Sequence, residues 1–213
     1  MPKLAAGIVP VLGILAFVVW RFVLPGVTGG SVGGGGGDAK RELKKDGISF
    51  EAANPDDLIG AMQKRAKKWS KDAEFYAVSI NGLKNDGTID FSSDSSVMTV
   101  EFFSPKLVGS GSKSDRDKGM RKYVVNKYKV DEQVWGVKQR YTDVLGTPIP
   151  KCKGKQIGKL LKDKGLKGED TALVSLDPGF AFATEGLSFN INVNNPKLHV
   201  YVDIDSCKVL KEL

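Results

Sequence analysis

In the stretch "LHVYVDID" (residues 198–205), His199, Tyr201, Asp203 and Asp205 occupy every second position, a spacing that sets them on one face of a β-strand. An imidazole in line with two carboxylates is material for proton transfer or for holding a metal ion. Same-face neighbours on one strand lie about 7 Å apart, too far for a single small coordination shell without help from elsewhere. A polar outer face is therefore the plainer expectation. His199 is the only histidine in the chain, which excludes multi-histidine metal sites and obliges any Ser-His-Asp or Cys-His arrangement to be built on it. An enzyme working through His199 with Asp203 is the chemical alternative.

The other candidate chemistry is sparser. "GSGSKS" (residues 109–114) has the glycines and lysine of a phosphate loop, but Ser112 stands between Gly111 and Lys113, and no parallel strand leads into a following helix. "SDRDKG" offers Asp115, Asp117 and Gly119 without the third ligand or the closing glutamate of a calcium loop. Cys152 and Cys207 lack the companions a zinc site needs. They are either a disulfide, stapling the second half's helix to its sheet across about 55 residues, or two free thiols. No cofactor or metal is expected from any of these patterns.

Lys64, Arg65, Lys67, Lys68 and Lys71 punctuate "NPDDLIGAMQKRAKKWSKDA" (residues 54–73). Asn54 can cap a helix there, Pro55 suits its first position, and Asp56 and Asp57 favour the positive end of its dipole. Leu58, Ile59, Met62, Ala66, Trp69 and Ala73 form its apolar stripe. The cations are first of all a solvated face, and a polyanion or lipid contact second. After residue 37 the chain holds 30 basic and 25 acidic residues, a net charge of +5 with mixed signs; nucleic acid is not an expected partner.

The elements that must position these residues follow from pattern and punctuation. "EFYAVSINGL", "TIDFSS" and "VMTVEFFSP" read as three strands after the first helix, separated by the turns "KNDG" and "SDSS". "MRKYVVNKYKV" reads as an exposed or edge strand because lysines interleave its apolar residues, and "DEQVWGVKQRYTDVLG" fits strand or helix. "GKQIGKLLKDKGL" is a second helix ended by Gly165, followed by strands in "TALVSLDPG", "FAFATEGLSFNINVNN" and "LHVYVDID". The order is helix–three strands, a spacer, then helix–three strands. The class is α+β, with two helix-plus-antiparallel-meander units.

Upstream, "LAAGIVPVLGILAFVVW" (residues 4–20) carries no charge and "FVLPGV" extends it past Arg21. About 20 such residues span a bilayer, and Trp20 with Arg21 fits an interfacial boundary. With no small-residue cleavage pattern after it, a retained anchor is expected rather than a cleaved signal. Eight glycines between Gly26 and Gly37 make a coil reaching about 20 Å. The expected organisation is a transmembrane anchor over 1–25, a flexible glycine-rich and charged linker over 26–50, and α+β units over 51–130 and 131–213, which can pack as one domain. An even cysteine count after a secretory-type start favours a periplasmic or extracellular head on a single-pass membrane protein. The cations following the span argue for a cytoplasmic head instead.

The helix–hairpin–strand order, the segment "YAVSINGLKNDGTIDFSSDSSVMTVEFFSP" and the ending "VYVDIDSCKVL" resemble the small α+β units of PepSY-like (cystatin-like) domains and of membrane-anchored bacterial proteins bearing them. The resemblance covers about residues 54–104 and 152–211. It implies a non-catalytic binding or inhibitory module of the cell envelope and supplies no catalytic residue. The expected function is thus an interaction or regulatory module whose partner is a protein, peptide or envelope polymer, engaged through the edge strand around 123–130 by β-augmentation. The alternatives are the His199–Asp203 enzyme and a binder of anionic lipid through the basic helix.

Overall fold

The computed structural model describes residues 38–136, 146–176 and 187–213. The expected anchor, the glycine run, the "DPG" turn, the start of "FAFATEGLSF" and most of "VKQRYTDVLG" lie outside these residues. Among the described residues no helix is long and apolar enough to cross a membrane.

Among the described residues, eight antiparallel strands form one sheet in the order β4-β3-β2-β1-β5-β6-β7-β8. The strands are β1 Glu74–Leu83, β2 Val97–Phe103, β3 Met120–Asn126, β4 Val130–Trp135, β5 Ala172–Leu176, β6 Ser188–Val193, β7 Leu198–Asp203 and β8 Val209–Glu212. The helices are α1 Ala39–Lys45, α2 Pro55–Trp69, the single turns α3 Pro105–Val108 and α4 Lys113–Arg116, and α5 Gly154–Asp163. Each half is a helix followed by a four-stranded meander, and the halves meet where β1 pairs with β5, Ser79 opposite Ser175.

Strand alternation sorts the side chains. Ile80, Met98, Val100, Phe102, Val125, Val174, Ile191 and Val200 are buried on one face, under Leu43 of α1, Leu58 and Met62 of α2, and Ile157 and Leu161 of α5. The α2 start is as its sequence implies: the Asn54 side chain accepts the Asp56 N–H at 3.0 Å, with Pro55 at the first helical position. A smaller apolar cluster on the other face gathers Tyr76, Phe103, Val108 and Met120, with Trp135 packed against it.

Three expectations are corrected. Residues 39–45, assigned to the linker, form α1, because Ala39 and Leu43 present an apolar side that is fully buried. "TIDFSS" is not a strand: Ile89 makes only isolated bridges to Ala53 and Leu83. The Asp86 and Asp90 carboxylates accept the N–H groups of Thr88 (2.9 Å) and Ser92 (3.0 Å), and these Asx turns draw the chain out of the ladder. Finally, β3 is not an edge but pairs with β2 on one side and β4 on the other. Its interleaved lysines mislead because Lys122 lies on the sheet's second face and Lys127 and Lys129 belong to the β3–β4 turn. Among the described residues the edges are β4 and β8, and β8 is a strand the sequence reading did not separate from the ending "SCKVL".

Candidate functional site

The β8 edge is built from the turn that precedes it. Asp203 Oδ1 accepts the N–H groups of Asp205 (3.2 Å) and Ser206 (2.7 Å) and the Ser206 hydroxyl (2.7 Å). The Ser206 hydroxyl first, and then its N–H, hold the Asp203 carboxyl below its ordinary range. The turn leaves Cys207 at φ 58°, the only non-glycine residue with positive φ among the described residues. That backbone is disfavoured for a side-chain-bearing residue, and here it is held from two sides. The Cys207 N–H bonds to the Asp203 carbonyl at 3.1 Å, and its sulfur is paired with Cys152, the Cα atoms 5.1 Å apart. Cys152 donates its N–H to the Ile204 carbonyl at 2.7 Å, so the approach to α5 is held to the end of β7 by a hydrogen bond and by a cysteine pair at disulfide distance.

From this fixed corner β8 runs along β7, Lys211 opposite Tyr201 and Glu212 opposite Val200. Lys164, at the end of α5, forms an ion pair with Glu212. The Leu213 N–H bonds inward to the His199 carbonyl at 3.0 Å. By antiparallel alternation the Lys211 N–H also points inward, while the polar backbone of Glu212 points away from the sheet; Leu210 is the extra residue where the register shifts between the partners of Tyr201 and Val202. Among the described residues no strand lies beyond β8. Val209, Leu210 and Leu213 are 37, 50 and 65% exposed, an apolar lining for an open row of hydrogen-bonding groups. Sequence reasoning missed this surface. Its signal was the Val-Leu pair after "DSC", too short to alternate visibly.

The expected His199–Asp203 pair is not assembled. Tyr201 lies between them, and four residue steps along the strand separate them by about 13 Å. His199 Nε2 instead shares a hydrogen bond with Asn190 Oδ1 at 3.0 Å, an atom that also accepts from Asn192 Nδ2 at 2.9 Å. Burial, and then the charge of Lys211, lower the imidazole's affinity for a proton. Asp205 faces Lys151 at 3.5 Å. Tyr201 belongs to a cross-strand row spanning the sheet's second face: Asp131, Val124, Thr99, Ser79, Ser175, Asn190, Tyr201 and Lys211.

On α2 the basic residues divide. Arg65 is spent inside the chain, its Nη2 lying 2.8 Å from Asp46 and 3.3 Å from Glu42, which ties α2 to α1. Lys67 Nζ donates to the Lys71 carbonyl at 3.2 Å, and Lys71 lies past the helix end. Lys64 and Lys68 are exposed and have no ion pair among the described residues. The open cleft between α1 and α2, about 570 Å³ and lined by Asp46, Ile48, Asp57, Gly60 and Lys64, mixes both signs of charge.

The "GSGSKS" loop folds about a cation rather than a phosphate. Arg116 Nη1 donates to the carbonyls of Ser110 (2.9 Å) and Gly111 (3.0 Å), and the Ser110 hydroxyl donates to Asp115 at 2.8 Å. Among the described residues no group of three or more His, Cys, Asp or Glu side chains converges as metal ligands do. Compared with models of protein families, with curated proteins and with solved structures, the chain matches none.

Proposed function

We propose that this protein is a non-catalytic interaction module of the bacterial cell envelope, a PepSY-like head held to the membrane by its N-terminal apolar segment. It takes an extended segment of a protein or peptide as a ninth strand along β8. The observation that carries this reading is the β8 edge itself: outward-pointing backbone at Glu212, flanked by exposed Val209, Leu210 and Leu213. Main-chain hydrogen bonds would supply affinity, and the alternate apolar side chains specificity. A rigid edge loses less entropy on binding than a loose one, and here the strand is fixed by the Cys152–Cys207 link at one end and the Lys164–Glu212 pair at the other. A cysteine pair at disulfide distance supports a periplasmic or extracellular head, where such bonds persist.

The test is site-specific photocrosslinking in membranes of cells expressing the chain, with the photoreactive residue at position 210 and, as a control, at 86. A discrete adduct from 210 alone is expected. A Glu212→Pro change, which removes an outward N–H and leaves the inward ladder bonds in place, is expected to abolish it. An adduct equally strong with Glu212→Pro, or equal adducts from both positions, would reject strand addition at β8.

A further inference from the structure

The head's charge is sorted by layer. Helices α1, α2 and α5, which pack on the same face of the sheet, hold 11 basic and 4 acidic residues, a net charge of +7. The other residues after position 37 hold 19 basic and 21 acidic, a net charge of −2. The basic side of α2 is therefore one part of a larger surface. The helices adjoin: the Gly154 N–H at the start of α5 donates to Asp56 Oδ2 in the first turn of α2 at 3.1 Å, and Arg65 bridges α2 to Glu42 and Asp46 beside α1.

Lys44, Lys64, Lys68, Lys155, Lys159 and Lys162 are all exposed on this layer, and none is in an ion pair among the described residues. The acids that could neutralise them are mostly engaged. Glu42 and Asp46 answer Arg65, Glu51 answers Lys40 at 2.6 Å, and Asp56 is turned to Gly154. Asp57 and Asp163 are the exposed exceptions.

We propose that this helical layer rests on the anionic headgroups of the bilayer into which the N-terminal segment inserts. The occupant is a lipid surface because of what stands upstream: an uncharged run over residues 4–20 and eight glycines that keep the head within about 20 Å of headgroups. A tether of that length also lets the head come within one Debye length of the surface, about 8 Å at physiological salt, where anionic headgroups attract a basic layer. The apolar sides of the three helices are committed to the sheet, so the contact is electrostatic, without insertion. Docked this way, the head turns the sheet's second face away from the membrane. The inference rests on the membrane anchor of the proposed function, though not on strand addition at β8.

The lysines themselves are the reporters. The full chain is placed in nanodiscs of zwitterionic phosphatidylcholine, or of phosphatidylcholine with phosphatidylglycerol, and acetylated briefly with an amine-reactive ester. Labelling at each lysine is then read by mass spectrometry. With the anionic lipid, Lys64, Lys68, Lys155, Lys159 and Lys162 are expected to react at least about threefold more slowly. Lys113 and Lys118 at α4 should be unchanged, and 0.5 M salt should remove the difference. The exposed triple change Lys64→Gln, Lys68→Gln, Lys159→Gln should return Lys155 and Lys162 to the zwitterionic rate. Equal labelling in both lipids with the chain in the discs would overturn the docking while leaving the anchor standing. A chain recovered outside the discs would reject the anchor, and the same labelling with anionic vesicles added would then decide the docking alone. Protection by a soluble anionic polysaccharide but not by anionic lipid would also overturn it.

Discussion

Replacing Gly158 by alanine puts two familiar effects in opposition, and the structure says which wins. Alanine inside a helix is favoured over glycine by about 1 kcal/mol, so the substitution would stabilise an isolated α5. In the folded protein the new Cβ would stand 2.2 Å from the Gly87 nitrogen, 2.6 Å from its Cα and 2.8 Å from the Asp86 carbonyl carbon. These are backbone atoms of a turn fixed by Gly87 at φ +83° and by the Lys84 N–H to Thr88 carbonyl bond of 2.9 Å. Ordinary carbon contacts begin near 3.5 Å, so helix or turn must retreat by more than an ångström. Overpacking of this kind costs about 1–3 kcal/mol and occasionally more, and with no side chain to rotate away the upper end applies. The expected net loss is about 1–2 kcal/mol, a fall in Tm of roughly 2–8 °C for a chain of this size. Gly60 in α2 is the internal control, since a Cβ there meets nothing within 4 Å. Gly60→Ala should raise stability by about 0.5–1 kcal/mol. Urea unfolding of the full-length variants in one detergent, followed by circular dichroism, measures both. A Gly158→Ala protein as stable as its parent would refute the glycine-on-glycine packing of α5 against the 84–87 turn.

Replacing both Cys152 and Cys207 by serine should cost about 2–4 kcal/mol, from the entropy regained by a loop of 55 residues; thermal unfolding with and without reductant checks it, and a parent indifferent to reductant would show that the two sulfurs are not bonded. Burial raises the proton affinity of Asp72, but the hydroxyl of Ser70, the Lys106 N–H (2.8 Å) and the Ser104 hydroxyl (2.8 and 3.0 Å) outweigh it and hold the carboxyl below its ordinary value of 3.8. A carboxylate with a lowered folded-state pKa contributes stability that is complete above about pH 4 and is lost as pH falls through the folded value. Asp72→Ala should therefore cost about 1–2 kcal/mol at pH 7, a range reduced for partial solvation. The gap from the parent should narrow below pH 4, and a pH-independent gap would rule out the charged carboxylate as its source.

What was legible in the sequence was whatever local chemistry decides. The α2 start was readable because Asn54, Pro55, Asp56 and Asp57 act within one turn, and the faces of β2 because Met98, Val100 and Phe102 alternate strictly. The failures have non-local causes. "TIDFSS" has strand residues, but Asp86 and Asp90 spend their carboxylates on turns, and only the fold shows that β2 already occupies the place beside β1. Gly154 and Gly158 were visible as helix glycines. Their reason is Gly87, which belongs to the other half of the chain. Leu43 gave no sign of burial because the sheet that covers it begins thirty residues later.

The strand order reads alike from either edge, so the sheet's topology alone does not distinguish β4 from β8; their side chains do. Along β4, Asp131 meets Lys129 at 3.1 Å and Glu132 meets Arg121 at 3.0 Å, with Arg121 in turn stacked over Trp69 at 4.5 Å. Charges of this kind on an edge oppose pairing with another chain. Asp38 adds a bridge to Lys129 at the mouth of the β3–β4 turn. The β8 edge carries Lys211 and Glu212, the latter paired with Lys164, but it also exposes Val209, Leu210 and Leu213, and a cysteine pair at disulfide distance holds the turn that launches it. The two edges that topology treats as equivalent thus differ in what they expose: paired charges along β4, and Val209, Leu210 and Leu213 beside Lys211 and Glu212 along β8.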